Sequence, residues 1–170
     1  LINNSVIPEF SIKYGKEDYD SMKKLHRYSV STALYTSVFM SSLMLIFARI
    51  IYTLWTNEKI EFNNTLLICF LIASILNSFW YTSGAVLTST NKHKKFSFYY
   101  LFSTILALFI GYLITIFTVS IDYTPLSLLI IDISLLFIVL KSSLEVVKDD
   151  FKDFFIEILI FPFKAMNKLM

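Results

Sequence analysis

Four apolar stretches of bilayer length, at about 28–55, 62–90, 96–119 and 124–147, dominate the sequence, and short polar links separate them. Each exceeds the roughly 20 residues that a helix needs to cross the hydrocarbon core. Inside a bilayer every backbone N–H and C=O must find its partner within the protein, and a helix does this within one segment. The fold class expected is therefore all-α and integral to a membrane, with four complete transmembrane helices and amphipathic segments outside the bilayer. Composition agrees, since charged residues make up 16% of the chain, where a soluble domain carries about 25%.

The flanks are polar or amphipathic. Residues 1–10 read as the end of a truncated transmembrane helix, because the residue before Pro8 is biased towards an extended backbone. Residues 11–27, SIKYGKEDYDSMKKLHR, read as a basic cytoplasmic loop: Gly15 suits a turn, and Asp18 or Asp20 suits the cap of a short amphipathic helix ending near Arg27. Residues 148–170 form an amphipathic tail in which Phe151, Phe154, Phe155, Ile158 and Leu159 oppose Lys152, Asp153 and Glu157. Pro162 interrupts its apolar run, which is too short to span and suits a helix lying on the membrane surface. The opening LINNSVIPEF has no basic leader, so it is no secretory signal, and a chain starting at Leu1 reads as part of something longer. Cys69 stands alone, which excludes an intramolecular disulfide.

Basic residues set an orientation. Lys and Arg are dense at 11–27, at 92–95 and from 141 onwards, and nearly absent at 56–61 and 119–124. Alternating links alternate in basic content, so the positive-inside rule places the chain start, the 91–95 turn and the tail in the cytoplasm. The same topology accounts for the basic residues without nucleic acid.

Within the second span, Ser74, Asn77, Tyr81, Gly84, Thr88 and Asn91 recur at spacings of 3, 4, 3, 4 and 3, which places them on one helix face. Such a seam faces protein or water rather than lipid. Two readings fit it: a solute path, or helix packing through small and polar residues. Two charges lie inside spans. Arg49 is six residues inside Trp55, about 9 Å along the helix, within snorkelling reach of the surface but also able to face an internal cavity. Asp132 is eight residues past Thr124, about 12 Å deep, where a carboxylate normally finds a partner. Their similar depths suggest that they pair if the first and fourth spans adjoin.

Catalytic chemistry is not visible. The sequence holds no serine–histidine–acid set, phosphate loop, paired carboxylates or Cys/His metal spacing, and His26 and His93 read as ordinary polar-segment residues. No cofactor, metal or enzymatic activity is expected.

Three stretches carry a resemblance: IPEFSIKYGKEDYDSMKKLHRYS, FARIIYTLWTNEKI and NSFWYTSGAVLTSTNKHKKFSFYYL, with a weaker fourth, LLIIDISLLFIVLKSSLEVV. Together they resemble the C-terminal half of a bacterial polysaccharide or O-antigen flippase. Such flippases belong to the multidrug/oligosaccharidyl-lipid/polysaccharide exporter superfamily, which also holds the MATE exporters. One departure is that SIDYTPLS, before the last span, lacks the glycine usual in that turn. The resemblance implies a MATE-like transporter of two six-helix lobes in the bacterial inner membrane, working by alternating access. Its cargo would be a polyprenyl-diphosphate-linked oligosaccharide for O-antigen or capsule. Implied partners are membrane lipids, the missing N-terminal lobe of the same chain, a polysaccharide polymerase and glycosyltransferases. The implied cavity residues are Arg49 for the diphosphate, Asn77, Tyr81 and Thr88 as polar partners of the sugars with Trp80 or Tyr81 stacking on a sugar face, and Ser74 and Asp132 as further cavity-lining residues. Two rivals stay open: a cation-coupled multidrug antiporter of the same superfamily, with Asp132 as its titrating carboxylate, and a small membrane assembly subunit.

Overall fold

A computed structural model describes residues 2–57, 59–118 and 123–167. The described residues form six helices: α1 (Ile2–Gly15), α2 (Tyr19–Thr56), α3 (Asn64–Ser89), α4 (Lys94–Thr118), α5 (Leu126–Val147) and α6 (Phe151–Asn167). Four of them, α2 to α5, are long and apolar enough to cross a membrane. Part of the link expected at 119–124 (residues 119–122) lies outside the described residues.

The first helix corrects an expectation. Pro8 does not end it, and α1 runs on to Gly15. An internal proline costs a helix ~3 kcal/mol. Here the helix is held by its apolar face, where Phe10 is fully buried against Met22, Ala85, Val86 and Val147, with Val6, Ile7 and Tyr14 around it. A second correction concerns 18–27, expected as a separate short helix. It is continuous with the first span, because no Gly or Pro lies between Tyr19 and Thr56. Asp18 is the cap, accepting the Ser21 backbone N–H at 3.1 Å. Hydrogen bonding from the Ser21 hydroxyl and N–H holds its carboxyl below the usual range. At 38 residues, α2 is about 57 Å long, nearly twice the ~30 Å hydrocarbon thickness. Its apolar second half exposes Phe39, Leu45, Ile46, Ile50, Leu54 and Trp55, as a lipid-facing surface would.

Helix α3 is the central rod and touches α1, α2 and α5. Residues Thr82 to Leu87 are all buried, and the small side chains of Ser83, Gly84 and Ala85 let neighbouring helices close in. Helix α5 begins after Pro125, extends past Lys141 to Val147, and packs on both α3 and α4. It therefore forms the floor between two helices that are consecutive in sequence. Helix α6 continues through Pro162, which breaks the apolar run but not the helix. It is anchored by Phe154 and Ile158, buried with Val30, Phe79, Leu140 and Leu144, and the Tyr35 hydroxyl donates to the Ile158 carbonyl at 3.2 Å. The tail is thus docked on the bundle along one face, leaving Phe151, Leu159 and Ile160 exposed.

One end of the bundle is tied by a polar knot. His26, expected as an ordinary residue of a polar segment, is fully buried. Its Nε2 is 2.8 Å from Ser83 Oγ, which is 2.6 Å from Ser143 Oγ, and Ser143 donates to the Leu140 carbonyl at 2.9 Å. That last donation fixes the direction of the chain: Ser83 donates to Ser143, and His26 Nε2–H donates to Ser83. Phe154 stacks on the imidazole at 5.0 Å and Phe10 meets it edge-on at 6.5 Å. Beside it, Arg27 Nε donates to Asp149 at 2.8 Å, and a second nitrogen bonds the other carboxylate oxygen. Five helices meet at this point.

The two spanning-helix glycines separate packing from propensity. A Cβ at Gly84 would sit 3.5 Å from Val139 Cγ1, an ordinary contact, whereas one at Gly111 would meet Ser127 Oγ at 3.0 Å and Thr124 Cγ2 at 3.3 Å. Gly84→Ala is expected to be neutral or to stabilise by up to about 1 kcal/mol. Gly111→Ala makes the Ser127 and Thr124 side chains give way by a few tenths of an ångström and is expected to destabilise by about 1–2 kcal/mol. Thermal unfolding of the two variants in detergent checks this, and equal melting temperatures would contradict it.

Candidate functional site

The placement of α5 beneath α3 and α4 leaves a groove of about 330 Å³, walled by Phe70, Ala73, Ser74, Asn77 and Trp80 of α3, by Tyr100 of α4, and by Leu128, Ile131 and Asp132 of α5. A second compartment of about 410 Å³ continues it over Tyr81, Phe96 and Ser97, and the two share Asn77, Trp80 and Tyr100. Trp80 is the hinge point between them. Its ring centroid lies 5.9 Å from Phe96, 6.0 Å from Tyr100 and 5.8 Å from Tyr81.

Asp132 organises the floor. Its Oδ1 accepts the Trp80 Nε1–H at 2.8 Å and, at 3.5 Å, the side-chain amide of Asn77. Both donors are neutral. Oδ2 takes no hydrogen bond from a described residue, and Asp132 lines the groove, so this oxygen is the one a solute can reach. Trp80 is 3% exposed, which makes its indole a fixed wall rather than a mobile side chain. Chemically the groove offers a carboxylate oxygen, an amide, the hydroxyls of Ser74, Tyr81, Ser97 and Tyr100, and aromatic faces. That set can bind hydroxyl-rich or cationic solutes with an apolar side.

Of the residues marked in the sequence, Ser74, Asn77, Trp80, Tyr81 and Asp132 come together here. Two do not. Arg49 forms no ion pair with any described residue, and the expected Arg49–Asp132 pair is replaced by Trp80 and Asn77. The reason is helix order: α3 is the main neighbour of both α2 and α5 and supplies the donors that Asp132 needs. Thr88 lies eleven residues past Asn77 on α3, donates to the Gly84 carbonyl, and is outside the groove. The polar seam is not consumed by packing. Only Gly84 is buried, while Ser74, Asn77, Tyr81, Thr88 and Asn91 are exposed on this chain. Sequence reasoning missed Tyr100 and Ser97 as groove residues, because nothing local sets them apart from the other polar residues of α4.

Comparison with known proteins yields one match. A family model described as MatE matches residues 1–113, about two-thirds of the 170-residue chain. The chain belongs to the MatE family. It is accordingly a multi-pass membrane protein of the MATE exporter superfamily, whose members are transporters. The match spans α1 to most of α4, and with it the α3 wall of the groove and Tyr100, while Asp132 lies beyond it. No curated protein and no solved structure matches the chain.

The Asp132 hub is testable through stability. Asp132→Leu leaves the buried Trp80 Nε1–H without an acceptor and is expected to destabilise by about 1–3 kcal/mol. Asp132→Asn keeps an acceptor oxygen and should lose clearly less. Unfolding in detergent, followed by the emission of Trp80 in a Trp55→Phe background, measures both, and equal losses would contradict the hub.

Proposed function

We propose that this MatE chain contributes one wall of a flippase cavity that moves polyprenyl-diphosphate-linked oligosaccharide across the bacterial inner membrane for O-antigen or capsule synthesis. One observation carries the reading: a rigid indole and an amide, both held by Asp132, stand beside the exposed Tyr81 and Tyr100. Sugars present hydroxyls at their rims and C–H groups on their faces. A site for them needs fixed polar groups next to aromatic surfaces, which is how small-molecule sites combine orientation with burial. The exposed polar seam of α3 then faces the cavity, and the second lobe of the same protein closes it. The diphosphate is left to a cation outside this groove, since Arg49 does not reach it. The dense lysines at 11–27, 92–95 and beyond 141 support a cytoplasmic side for those ends, where glycosyltransferases would assemble the lipid-linked cargo; a polymerase would receive it on the far side.

A second reading has its own support. Asp132 is a carboxylate within a span whose described partners are neutral donors, and intramembrane carboxylates commonly serve proton or ion coupling. A cation-coupled antiporter would use its free oxygen for that purpose.

Transport in proteoliposomes with both lobes present separates the two. For the flippase, Asn77→Ala is expected to slow oligosaccharide flipping about tenfold, the loss of polar contacts of ~1 kcal/mol each, while Asp132→Asn retains most activity because it still positions Trp80. Abolition of transport by Asp132→Asn, together with indifference to Asn77→Ala, would favour the antiporter and contradict the flippase.

A further inference from the structure

A separate groove of about 410 Å³ lies where α5 hands over to α6, lined by Phe137, Lys141, Leu144, Glu145, Lys148, Asp149 and Phe151. Its polarity is graded along α5. Phe137, ten residues before Val147, lies about 15 Å in from the helix end, and it is 65% exposed. Leu144 forms the buried floor, Phe151 covers the α6 side, Lys141 stands one turn beyond Phe137, and Glu145, Lys148 and Asp149 stand at the end of the helix. The groove is therefore apolar on the side that lies further into the spanning helix and charged towards the helix end.

The basic end is held in place. Lys148 closes α5 in the left-handed region, at φ 57 and ψ 40, an uncommon conformation for a residue other than glycine. Its ammonium is 3.7 Å from the centroid of the Tyr19 ring, which holds the cation beside the start of α2 while the residue stays exposed. Asp149 is already matched by Arg27. That leaves Lys141 and Lys148 against the single carboxylate of Glu145.

We propose that this groove binds one anionic phospholipid, with its acyl chains along Phe137, Leu144 and Phe151 and its phosphate at Lys141 and Lys148. Three features of the groove select this occupant: the direction of the polarity gradient, the surplus of cations at interface depth, and the opening of Phe137 towards the bilayer. A soluble anion would use the lysines but not the apolar half. A neutral phospholipid would use the apolar half but gain little from the lysines. Bound there, the lipid would sit against the α5–α6 junction that carries the Arg27–Asp149 pair, and so tie α6 to the membrane surface.

The test is native mass spectrometry of the purified protein in detergent micelles, titrated with phosphatidylglycerol or with phosphatidylcholine of the same chains. One phosphatidylglycerol is expected to be retained preferentially. Each interfacial lysine contributes about fivefold to such a preference, so Lys141→Gln lowers it by about that factor. Lys148→Gly does the same while suiting the left-handed backbone, which keeps the fold intact. Glu145→Gln strengthens retention. Equal retention of phosphatidylcholine, retention unaffected by either lysine change, or displacement by inorganic phosphate at the lipid's own concentration would each overturn the proposal.

Discussion

A carboxylate in an apolar helix has to be answered by donors, and in this chain that demand orders the bundle around α3. Asp132 on α5 takes its hydrogen bonds from Trp80 and Asn77, both on α3 and one turn apart. Leaving such a group unanswered in hydrocarbon costs several kcal/mol, so the register between α3 and α5 is fixed at this point. Fixing it also places Trp80 against Phe96 and Tyr100 of α4, and the groove lies among these three helices. The same residues that satisfy a structural requirement thereby present a varied polar surface to the groove.

The opposite role is played by the His26 knot. There the polar groups face inward and are linked in a one-way chain of donors, enclosed by Phe10 and Phe154. His26, Ser83 and Ser143 are all fully buried. The knot joins α1, α2, α3, α5 and α6 at one end, so that the amphipathic tail moves with the bundle rather than independently of it. Polar residues in α3 thus divide by position: Ser83 holds helices together, whereas Ser74, Asn77 and Tyr81 remain uncovered.

The four spans were legible because bilayer length and apolar content leave a helix as the only economical solution, and the helix start near Asp18 was legible from its capping residues, although the sequence left Asp18 and Asp20 as alternatives and did not show that the helix runs on into the first span. Helix ends at prolines were not. Pro8 and Pro162 each carry a local stop signal that packing outweighs, through Phe10 in one case and Phe154 with Ile158 in the other. The need of Asp132 for a partner followed from its depth, but the partner's identity required the spatial order of helices. Only the fold reveals that α5 lies between α3 and α4, which replaces Arg49 by Trp80. His26 was invisible for a related reason. Its partner Ser83, and Ser143 to which Ser83 donates, are each more than fifty residues away from it, and each looks like an unremarkable helix serine.

The central claim is that the uncovered face of α3 lines a water-accessible path. In a Cys69→Ala background, single cysteines at positions 77 and 81 can be exposed to a membrane-impermeant thiol reagent in intact membranes, with position 85, buried between helices, as the reference. Positions 77 and 81 are expected to be labelled at least tenfold faster than 85, a difference of ~1.4 kcal/mol in accessibility, and to be protected by cargo. Labelling at 77 and 81 as slow as at 85 would mean that the face is sealed, and the transport path drawn here would not exist.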